Sequence, residues 1–507
     1  MRSDDPEDTL TSQLSSLEEA SGRLLALTIL WHPQLERVGQ QCIAGPGAGE
    51  IALNRFAPLF ARPGGVQLPL GERCIARDRL WLRRGPGDAL AIDPPQSRMS
   101  VELDGVALTG PTMLAPERID GGLVLALGGA VLLCIHWADG LPRATADNGL
   151  LGVSSAMRKV HELIGQVAAT ELPVLVLGET GTGKELAARA IHAASARRVG
   201  PFAAVNMAAL NESLAAADLF GATRGAYTGA QSARGGLFAE AADGTLFLDE
   251  IGNAPAPVQP MLLRVLETGE YRPLGAAADA VSRARVISAT DQDLGAAGFN
   301  QPLRRRLEAF VICMPALRQR REDIGLLIVH VQSTWGAGAT PVQLPAALVG
   351  AMCAYHWPGN VRQLHHVVTR ALMAVQAGQA PSLAALLPRD APAPAPAENA
   401  QRQDSLALPA APHRTRLADV DDTAVLAAMA RNGWQIRSAA QELGVSRPSM
   451  YKLIEAHPQI RVASAIPLAE LRAALATHGA DVARCAAALR TPSEALRRLL
   501  RGQGLIS

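Results

Sequence analysis

The chain has 507 residues, more than one hydrophobic core usually supports, and a formal net charge of +1. This near-neutral balance excludes a polycation that coats nucleic acid, so any DNA affinity has to come from a local patch. The six cysteines form no Cys-x-x-Cys pair, the histidines form no cluster at metal spacing, and no apolar run is long enough to span a membrane. We therefore expect a cytoplasmic protein with reduced thiols and no membrane partner.

The N-terminal region is predicted to consist of a polar segment, residues 1–40, and a β-sandwich, residues 41–140. Short apolar runs separated by Gly, Pro and Asp are typical of strands joined by tight turns. Such runs lie at 72–84, 100–108 and 122–136.

Three short motifs in this region loosely resemble a forkhead-associated domain, in which loops at one end of the sandwich grip phosphothreonine. The motifs are Leu53-Asn54-Arg55, Gly71 to Asp78 and Leu103-Asp104-Gly105. The grip of that family needs Arg55, Arg77 and a Ser where this chain has Ala76, so the resemblance implies a degenerate sensor. Two interpretations remain open: binding of a phosphoprotein or other regulatory partner, and a sandwich that only packs on the ATPase or a partner.

A glycine-rich loop at 178–185 reads Gly-Glu-Thr-Gly-Thr-Gly-Lys-Glu. Such a turn before a helix lets backbone N–H groups close around phosphates, while Lys184 reaches the β and γ oxygens. We predict that ATP is bound by Gly178, Glu179, Thr180, Gly181, Thr182, Gly183, Lys184 and Glu185. Because Glu185 stands where many such loops place a Ser or Thr on Mg²⁺, metal binding shifts toward Asp249 and water.

A second motif, Gly244-Thr-Leu-Phe-Leu-Asp249-Glu250, complements the loop. Its apolar run predicts a buried strand that ends in two carboxylates. We expect Asp249 to hold Mg²⁺ and Glu250 to polarise the attacking water. The two motifs together predict an ATP-hydrolysing site.

Between these motifs lies the loop Gly225-Ala226-Tyr227-Thr228-Gly229-Ala230, an aromatic side chain flanked by small residues. The stretch from about 150 to 385 resembles the central AAA+ domain of sigma-54-dependent transcriptional activators, the bacterial enhancer-binding proteins, whose loop normally reads Gly-Ala-Phe-Thr-Gly-Ala. Further motifs that carry the resemblance are Asn206, Arg304 to Leu307, Pro315 to Ile324 and Trp357 to Leu364. The resemblance implies an α/β ATPase core over 150–320 and a helical lid over 321–388.

The resemblance also implies a role for each motif. The loop 225–230 would contact the sigma factor, and Asn206 would couple Glu250 to the state of the γ-phosphate. Arg306 would be an arginine finger that reaches the nucleotide of a neighbouring subunit, and Arg362 the sensor arginine of the lid. A guanidinium supplied by a neighbour neutralises charge on the transferred phosphoryl group, which ties hydrolysis to assembly. We therefore expect a homo-oligomer, dimeric at rest and a hexameric ring when active.

Two positions depart from the family pattern. Asn300 stands where the family usually has a first finger Arg, and Asp291 stands where a neutral Asn would sense phosphate. Asp291 would repel a γ-phosphate unless Mg²⁺ or an Arg intervenes, and Arg304 or Arg305 would replace the absent finger.

Three functional hypotheses follow. The first is an activator that binds enhancer DNA and uses ATP to remodel sigma-54 RNA polymerase. The alternative is an ATP-binding but hydrolysis-deficient DNA-binding regulator, silenced by Asn300 and Asp291. A third is an AAA+ remodeller of some other protein, against which the loop 225–230 argues.

The C-terminal end is predicted to bind DNA. An Ala/Pro-rich linker over 389–418 precedes helices at 423–431, 436–443 and 446–456, with a tight turn at Gly444-Val445. The spacing over 419–460 resembles a Fis-type helix-turn-helix, although an ordinary three-helix bundle would share its helices. The third helix leaves four side chains to face the major groove or phosphates: Arg447, Ser449, Tyr451 and Lys452.

An offset of 46 residues superposes a second, weaker copy of this motif over 465–507. In the copy, Arg490 occupies the turn position of Gly444, and Arg497, Arg498 and Arg501 give the last helix a basic face. Two interpretations remain open: a face that binds the phosphate backbone, and a dimerising or merely soluble helix pair. The predicted architecture is thus an N-terminal β-sandwich, a central α/β P-loop ATPase with a helical lid, and an all-α C-terminal end.

Overall fold

The computed structural model of the protein describes residues 23–388, except 45–48, 142–147, 228–231, 296–297 and 336–341, and parts of 422–502. The chain divides into two compact units, Met1–Glu398 and Asn399–Ser507. In the part of the chain that the model describes, no helix combines the length and apolar character needed to cross a bilayer.

The N-terminal part of the first unit consists of two antiparallel sheets, of strand order β2-β1-β10-β9-β6-β7 and β3-β4-β5-β8. Their strands are β1 (Leu24–Trp31), β2 (Gln41–Ile43), β3 (Glu50–Leu53), β4 (Leu80–Arg84), β5 (Leu90–Asp93), β6 (Val101–Leu103), β7 (Val106–Ala107), β8 (Thr112–Leu114), β9 (Leu123–Leu127) and β10 (Val131–Ala138), with helix α1 (Pro116–Asp120) before β9. One hydrophobic cluster joins the sheets through residues such as Leu27, Leu53, Leu82 and Leu125. The predicted β-sandwich is therefore confirmed.

The sandwich begins earlier than the predicted boundary at residue 41. Strand β1 starts at Leu24, pairs with β2 and β10, and is buried along its whole length. Leu27 and Ile29 lie in the sandwich core, whereas Leu30 and Trp31 pack on the opposite side, against the lid. A strand that is buried on both faces has no polar alternation, so the period-two signal that marks a strand is missing here.

The ATPase core is built on a parallel sheet of order β12-β13-β16-β11-β17. Its strands are β11 (Val174–Leu177), β12 (Phe202–Asn206), β13 (Thr245–Asp249), β16 (Arg285–Thr290) and β17 (Val311–Cys313), and a small hairpin consists of β14 (Glu270–Tyr271) and β15 (Ala280–Val281). The helices are α2 (Ser155–Ala168), α3 (Lys184–Ala194), α4 (Ala215–Phe220), α5 (Leu237–Glu240), α6 (Gln259–Thr268) and α7 (Gln301–Leu307). The carboxyl ends of β11, β13 and β16 meet at one edge, which is where open parallel sheets bind ligands.

The lid follows two 3₁₀ turns, Leu317–Gln319 and Arg321–Asp323. Its helices are α8 (Ile324–Thr334), α9 (Ala346–Ala354), α10 (Asn360–Gln376) and α11 (Leu383–Leu386). Buried lid residues such as Ile328, Met352 and Trp357 form one hydrophobic cluster with Leu30 and Leu132 of the six-stranded sheet. The outer face of the sandwich is thus covered by the lid.

The second unit contains α12 (Asp422–Arg431), α13 (Leu468–His478), α14 (Val482–Leu489) and α15 (Ser493–Gly502). Residues related by the offset of 46, such as Met450 and Leu496, belong to the same hydrophobic cluster. Arg490, between α14 and α15, has a φ of +50°. The second copy therefore packs with the first in one core, and Arg490 adopts the left-handed conformation that a glycine would favour in this turn.

Candidate functional site

The glycine-rich loop connects β11 to α3 and has the shape of a phosphate cradle. Gly181 and Gly183 have φ of +80° and +104°, a region that favours glycine. Lys184 begins α3, is buried, and its Nζ donates to the carbonyl of Gly178 at 2.9 Å. A cation held at the start of a helix beside free backbone N–H groups suits nucleotide phosphates. Glu185, by contrast, is exposed and pairs with Arg189 at 2.7 Å.

Two carboxylates lie at the end of β13, next to the cradle. Glu250 has a φ of +53°, and its N–H donates to Asp249 Oδ1 at 3.0 Å. Burial raises the pKa of Glu250, and the negative charges of Asp291 and Asp249 raise it further, while Lys184 opposes them. In the described residues no group of three His, Cys, Asp or Glu forms a metal cluster, so Asp249 would need water and phosphate oxygens to complete a Mg²⁺ site.

Asp291, which departs from the family pattern, lies between the loop and Glu250. It follows β16, and its Oδ2 accepts a hydrogen bond from Thr180 Oγ1 at 2.7 Å. Its negative charge also acts on Glu250 and raises the pKa of that carboxyl group. Asp291 is therefore placed to change the protonation of Glu250.

Replacing Asp291 by Asn should move the acid limb of the pH profile of ATP turnover to lower pH. Because the Asp291 charge contributes to the raised pKa of Glu250, its removal lowers that pKa, and the ionised carboxylate then persists at lower pH. The measurement is the turnover number at saturating ATP as a function of pH. Asp243→Asn, an exposed carboxyl paired with Arg283, is the matched control. An acid limb that stays in place or moves to higher pH would contradict this assignment.

Asn206 and Asn300 both cap short helical segments. Asn206 lies opposite Asp249 in the register of β12 and β13, and its Oδ1 accepts from Ala208 N at 2.9 Å. Asn300 Oδ1 accepts from Leu303 N at 3.0 Å and thereby begins α7. The residue that replaces the expected first finger Arg thus serves as a helix N-cap, a position that Asn favours.

The arginines of α7 lie at the surface of the core. Arg306 Nε is 3.3 Å from Glu267 Oε1, and both side chains are about half exposed. Arg304 pairs with Glu308 at 2.7 Å, and Arg305 is exposed. An exposed Arg306 is accessible to a neighbouring subunit.

The lid contacts the glycine-rich loop directly. Arg362 is exposed in the first turn of α10, and the N–H of the preceding Val361 donates to Gly181 O at 3.0 Å. A Cβ on Gly181 would lie 2.5 Å from the carbonyl oxygen of Gly359. The predicted sensor Arg is therefore brought to the loop by a contact that only glycine permits.

Three residues for which the sequence motifs predict no separate role hold this loop. Arg318 donates to both oxygens of Glu179 at 2.8 and 2.5 Å, and Asn360 Nδ2 donates to Glu179 Oε2 and Thr180 O, each at 3.1 Å. Arg320 Nη2 donates to Thr182 O at 3.1 Å. The hydrogen bonds from Arg318, and then those from Asn360, lower the pKa of Glu179 to about 2. All three lie inside motifs that carry the family resemblance, but their pairing with the loop has no local signature.

The predicted sigma-factor loop is described in part. Gly225 has a φ of +78°, and the N–H of Ala226 donates to Thr223 O at 3.2 Å, so the first part of the loop, up to Tyr227, is a turn. Thr228, Gly229 and Ala230 lie outside the described residues, as do the predicted DNA-contacting residues Arg447, Ser449, Tyr451 and Lys452.

The loops of the sandwich use Arg55 internally. Its Nε donates to Ile75 O at 3.1 Å, and its Nη2 donates to Arg73 O. Arg77 is exposed. In the structure, one of the two arginines of the predicted phosphate grip therefore holds the neighbouring loop in place.

Family models match three stretches of the chain: "Sigma-54 interaction domain" over 150–312, "AAA+ ATPase lid domain" over 318–403 and "Bacterial regulatory protein, Fis family" over 416–456. The chain is 38% identical over 329 residues to the transcriptional regulatory protein ZraR of Salmonella typhimurium, covering 61% of this chain and 69% of ZraR. It is 36% identical over 393 residues to the nitric oxide reductase transcription regulator NorR2 of Cupriavidus necator, covering 72% and 74%.

Among solved structures, NtrX from Brucella abortus in complex with ADP is 28% identical, with 62% of this chain and 69% of NtrX covered. Its TM-score of 0.43 is too low to support a conclusion. The stretches matched by the first two family models contain the glycine-rich loop, the paired carboxylates and the lid. The chain belongs to the sigma-54-dependent transcriptional activators: it is a nucleotide-binding AAA+ ATPase that acts with sigma-54 RNA polymerase and binds DNA.

Proposed function

We propose that this activator assembles into a hexameric ring on enhancer DNA, from a dimer at rest, and couples Mg²⁺-dependent ATP hydrolysis to remodelling of sigma-54 RNA polymerase in the cytoplasm. The observation that carries the proposal is the meeting of Lys184, Asp249 and Glu250 at one edge of the parallel sheet. These are the cation, the metal ligand and the water-orienting carboxylate that phosphoryl transfer requires.

Each side chain of the site has one proposed task. Lys184 holds the β and γ oxygens, and Asp249 holds Mg²⁺, which supplies positive charge to the phosphates when it is bound. Glu250 orients the attacking water, and Asn206, next to Asp249 in register, relays the state of this site to the rest of the core. Arg362 reaches the nucleotide of its own subunit from the first turn of α10.

The remaining assignments follow the predicted division of the chain, with the sandwich now starting at Leu24. We assign the ATPase core to 150–320, the lid to 321–388, the linker to 389–418, the helix-turn-helix to 419–460 and its second copy to 465–507. Gly225 to Ala230 contact sigma-54, and Arg447, Ser449, Tyr451 and Lys452 contact the enhancer. A phosphoprotein or other regulatory partner acts on the sandwich.

Ring formation is tested through Arg306. Arg306→Ala alone should lower phosphate release by ~10³-fold, the scale of an arginine finger. Glu250→Gln alone should also be inactive. When the two variants are mixed, Glu250→Gln subunits supply Arg306 to the intact catalytic carboxylates of Arg306→Ala subunits, so turnover should recover and rise with protein concentration.

The control for this experiment is Arg283→Ala, an exposed arginine of the core that pairs with Asp243. It should keep the turnover of the unmodified protein. If the mixture is no more active than either variant alone at every concentration, Arg306 does not act across a subunit interface.

A further inference from the structure

The sandwich and the lid are packed as one body. Leu30 and Trp31 of β1, and Leu132 of β10, lie in the same hydrophobic cluster as the lid residues Ile328 and Met352. Helix α8 approaches β1 so closely that a Cβ on Gly325 would lie 1.9 Å from the carbonyl oxygen of Leu30. A displacement of the sandwich therefore has to move the start of the lid with it, because packed interiors are not continuously deformable.

The seven residues that lead into α8, Leu317–Asp323, contact the sandwich on one side; we name them the coupling segment. Arg321 Nη1 donates to the carbonyl of Gly122, before β9, at 3.0 Å, and its side chain is only 12% exposed. Glu322 Oε1 lies 3.7 Å from His136 Nδ1 of β10.

The same segment holds the nucleotide loop on its other side. Arg318 forms the bidentate pair with Glu179, and Arg320 donates to the carbonyl of Thr182. Asn360 joins the two, because its Oδ1 accepts from Leu317 N at 2.8 Å while its Nδ2 donates to Glu179. Bidentate arginine–carboxylate pairs fix geometry as well as charge, so the position of Arg318 sets the position of Glu179.

The coupling segment is also tied to the ATPase core. Asp323 accepts from the N–H groups of Val153 and Ser154 at 2.6 and 2.9 Å, and from Ser154 Oγ at 2.7 Å. Ser154 in turn caps helix α2, since its Oγ accepts from Met157 N at 3.1 Å. The segment is thus held at a fixed point between the sandwich and the loop.

We propose that the coupling segment transmits the state of the N-terminal sandwich to the nucleotide loop, and that Arg318 is a positioning residue that sets nucleotide affinity through Glu179. Arg321 is the contact by which the sandwich holds the segment. An event that shifts β9 or β10 alters the hydrogen bond between Arg321 and Gly122 and thereby moves Arg318. The loop around the phosphates then becomes looser or tighter.

The test uses the full chain without nucleotide and then with a fluorescent ATP analogue. Arg318→Gln should increase amide hydrogen exchange over 178–184 and weaken binding of the analogue by about three- to tenfold, the scale of losing one or two hydrogen bonds. The Arg321 side chain contacts Gly122 and not the loop. Arg321→Gln should nevertheless increase amide hydrogen exchange over 178–184 and weaken binding of the analogue, as Arg318→Gln does. Arg283→Gln is the matched control and should change neither.

Two further measurements separate positioning from general destabilisation. If Arg318 acts through Glu179, the double variant Arg318→Gln/Glu179→Gln should bind the analogue as weakly as either single variant, because coupled residues are not additive. In the unmodified protein, saturation with ADP should reduce exchange over Leu123–Leu127, since coupling between sites is reciprocal.

The proposal would be overturned if Arg321→Gln matched the Arg283→Gln control in amide hydrogen exchange over 178–184 and in affinity for the ATP analogue. So would fully additive effects in the double variant, or exchange over β9 that does not respond to ADP.

Discussion

Replacing Glu250 by Gln should reduce ATP turnover by about 10²–10⁴-fold, the contribution of a positioned carboxylate to proton transfer. Binding of nucleotide should survive, because the cradle is built from the glycine-rich loop and Lys184, whose Nζ is held at the carbonyl of Gly178. The amide keeps the size of the side chain but removes the charge that polarises water. The measurements are phosphate release and the affinity for a fluorescent ATP analogue, made on the same preparation.

The matched control is Glu162→Gln, which makes the same chemical change at an exposed position of α2. Its turnover should equal that of the unmodified protein. A Glu250→Gln protein that hydrolyses ATP within about tenfold of the unmodified protein would show that another group orients the water, since the loss expected from removing a catalytic base is larger. Asp291 would then be the first candidate, because its carboxylate accepts a hydrogen bond from Thr180 of the glycine-rich loop and its charge acts on Glu250.

Gly325→Ala should destabilise the first unit by about 1–3 kcal/mol or more, the range for overpacking a tight interior. The added methyl group would overlap the carbonyl oxygen of Leu30, and α8 can avoid it only by leaving β1. For a unit of this size we expect the melting temperature in differential scanning calorimetry to fall by roughly 1–4 °C.

A matched glycine lies in α2. A Cβ on Gly165 would meet no heavy atom within 4 Å in the described structure outside its own helix, and the residue is exposed. Gly165→Ala should therefore stabilise the protein by roughly 0.5–1 kcal/mol, the difference in helix propensity. Equal melting temperatures for the two alanine variants would show that the sandwich is not packed against α8 as described.

The tight packing explains why the sequence indicates a later start of the sandwich than the structure shows. Strand β1 is the contact between the sandwich core and the lid, so both of its faces are buried and its sequence carries no alternation. The motifs of the ATPase do not depend on such packing. Residues 178–185 and 244–250 each form one local element, a loop before a helix and a strand that ends in carboxylates, so their place in the fold could be predicted from their own composition.

Asp291 and Asn300, the two positions that depart from the family pattern, show what a local pattern can and cannot predict. The place of Asp291 after a strand predicted that a carboxylate would lie near the phosphate end of the site, and the structure brings it to Thr180 and Glu250. The role of Asn300 as the N-cap of α7 depends on where that helix begins, which the family pattern at this position does not indicate.

The sequence by itself predicted the chemistry of this protein: the phosphate loop, the paired carboxylates, the aromatic loop that we propose contacts the sigma factor, and the duplicated helix-turn-helix pattern. The residues of each of these patterns are close together in the chain. Only the tertiary structure decided how these parts are joined. The pair Arg318–Glu179 spans 139 residues and the pairing of Thr28 with His136 spans 108. Contacts over such separations depend on how sheets and helices pack, and no periodicity or short motif encodes them.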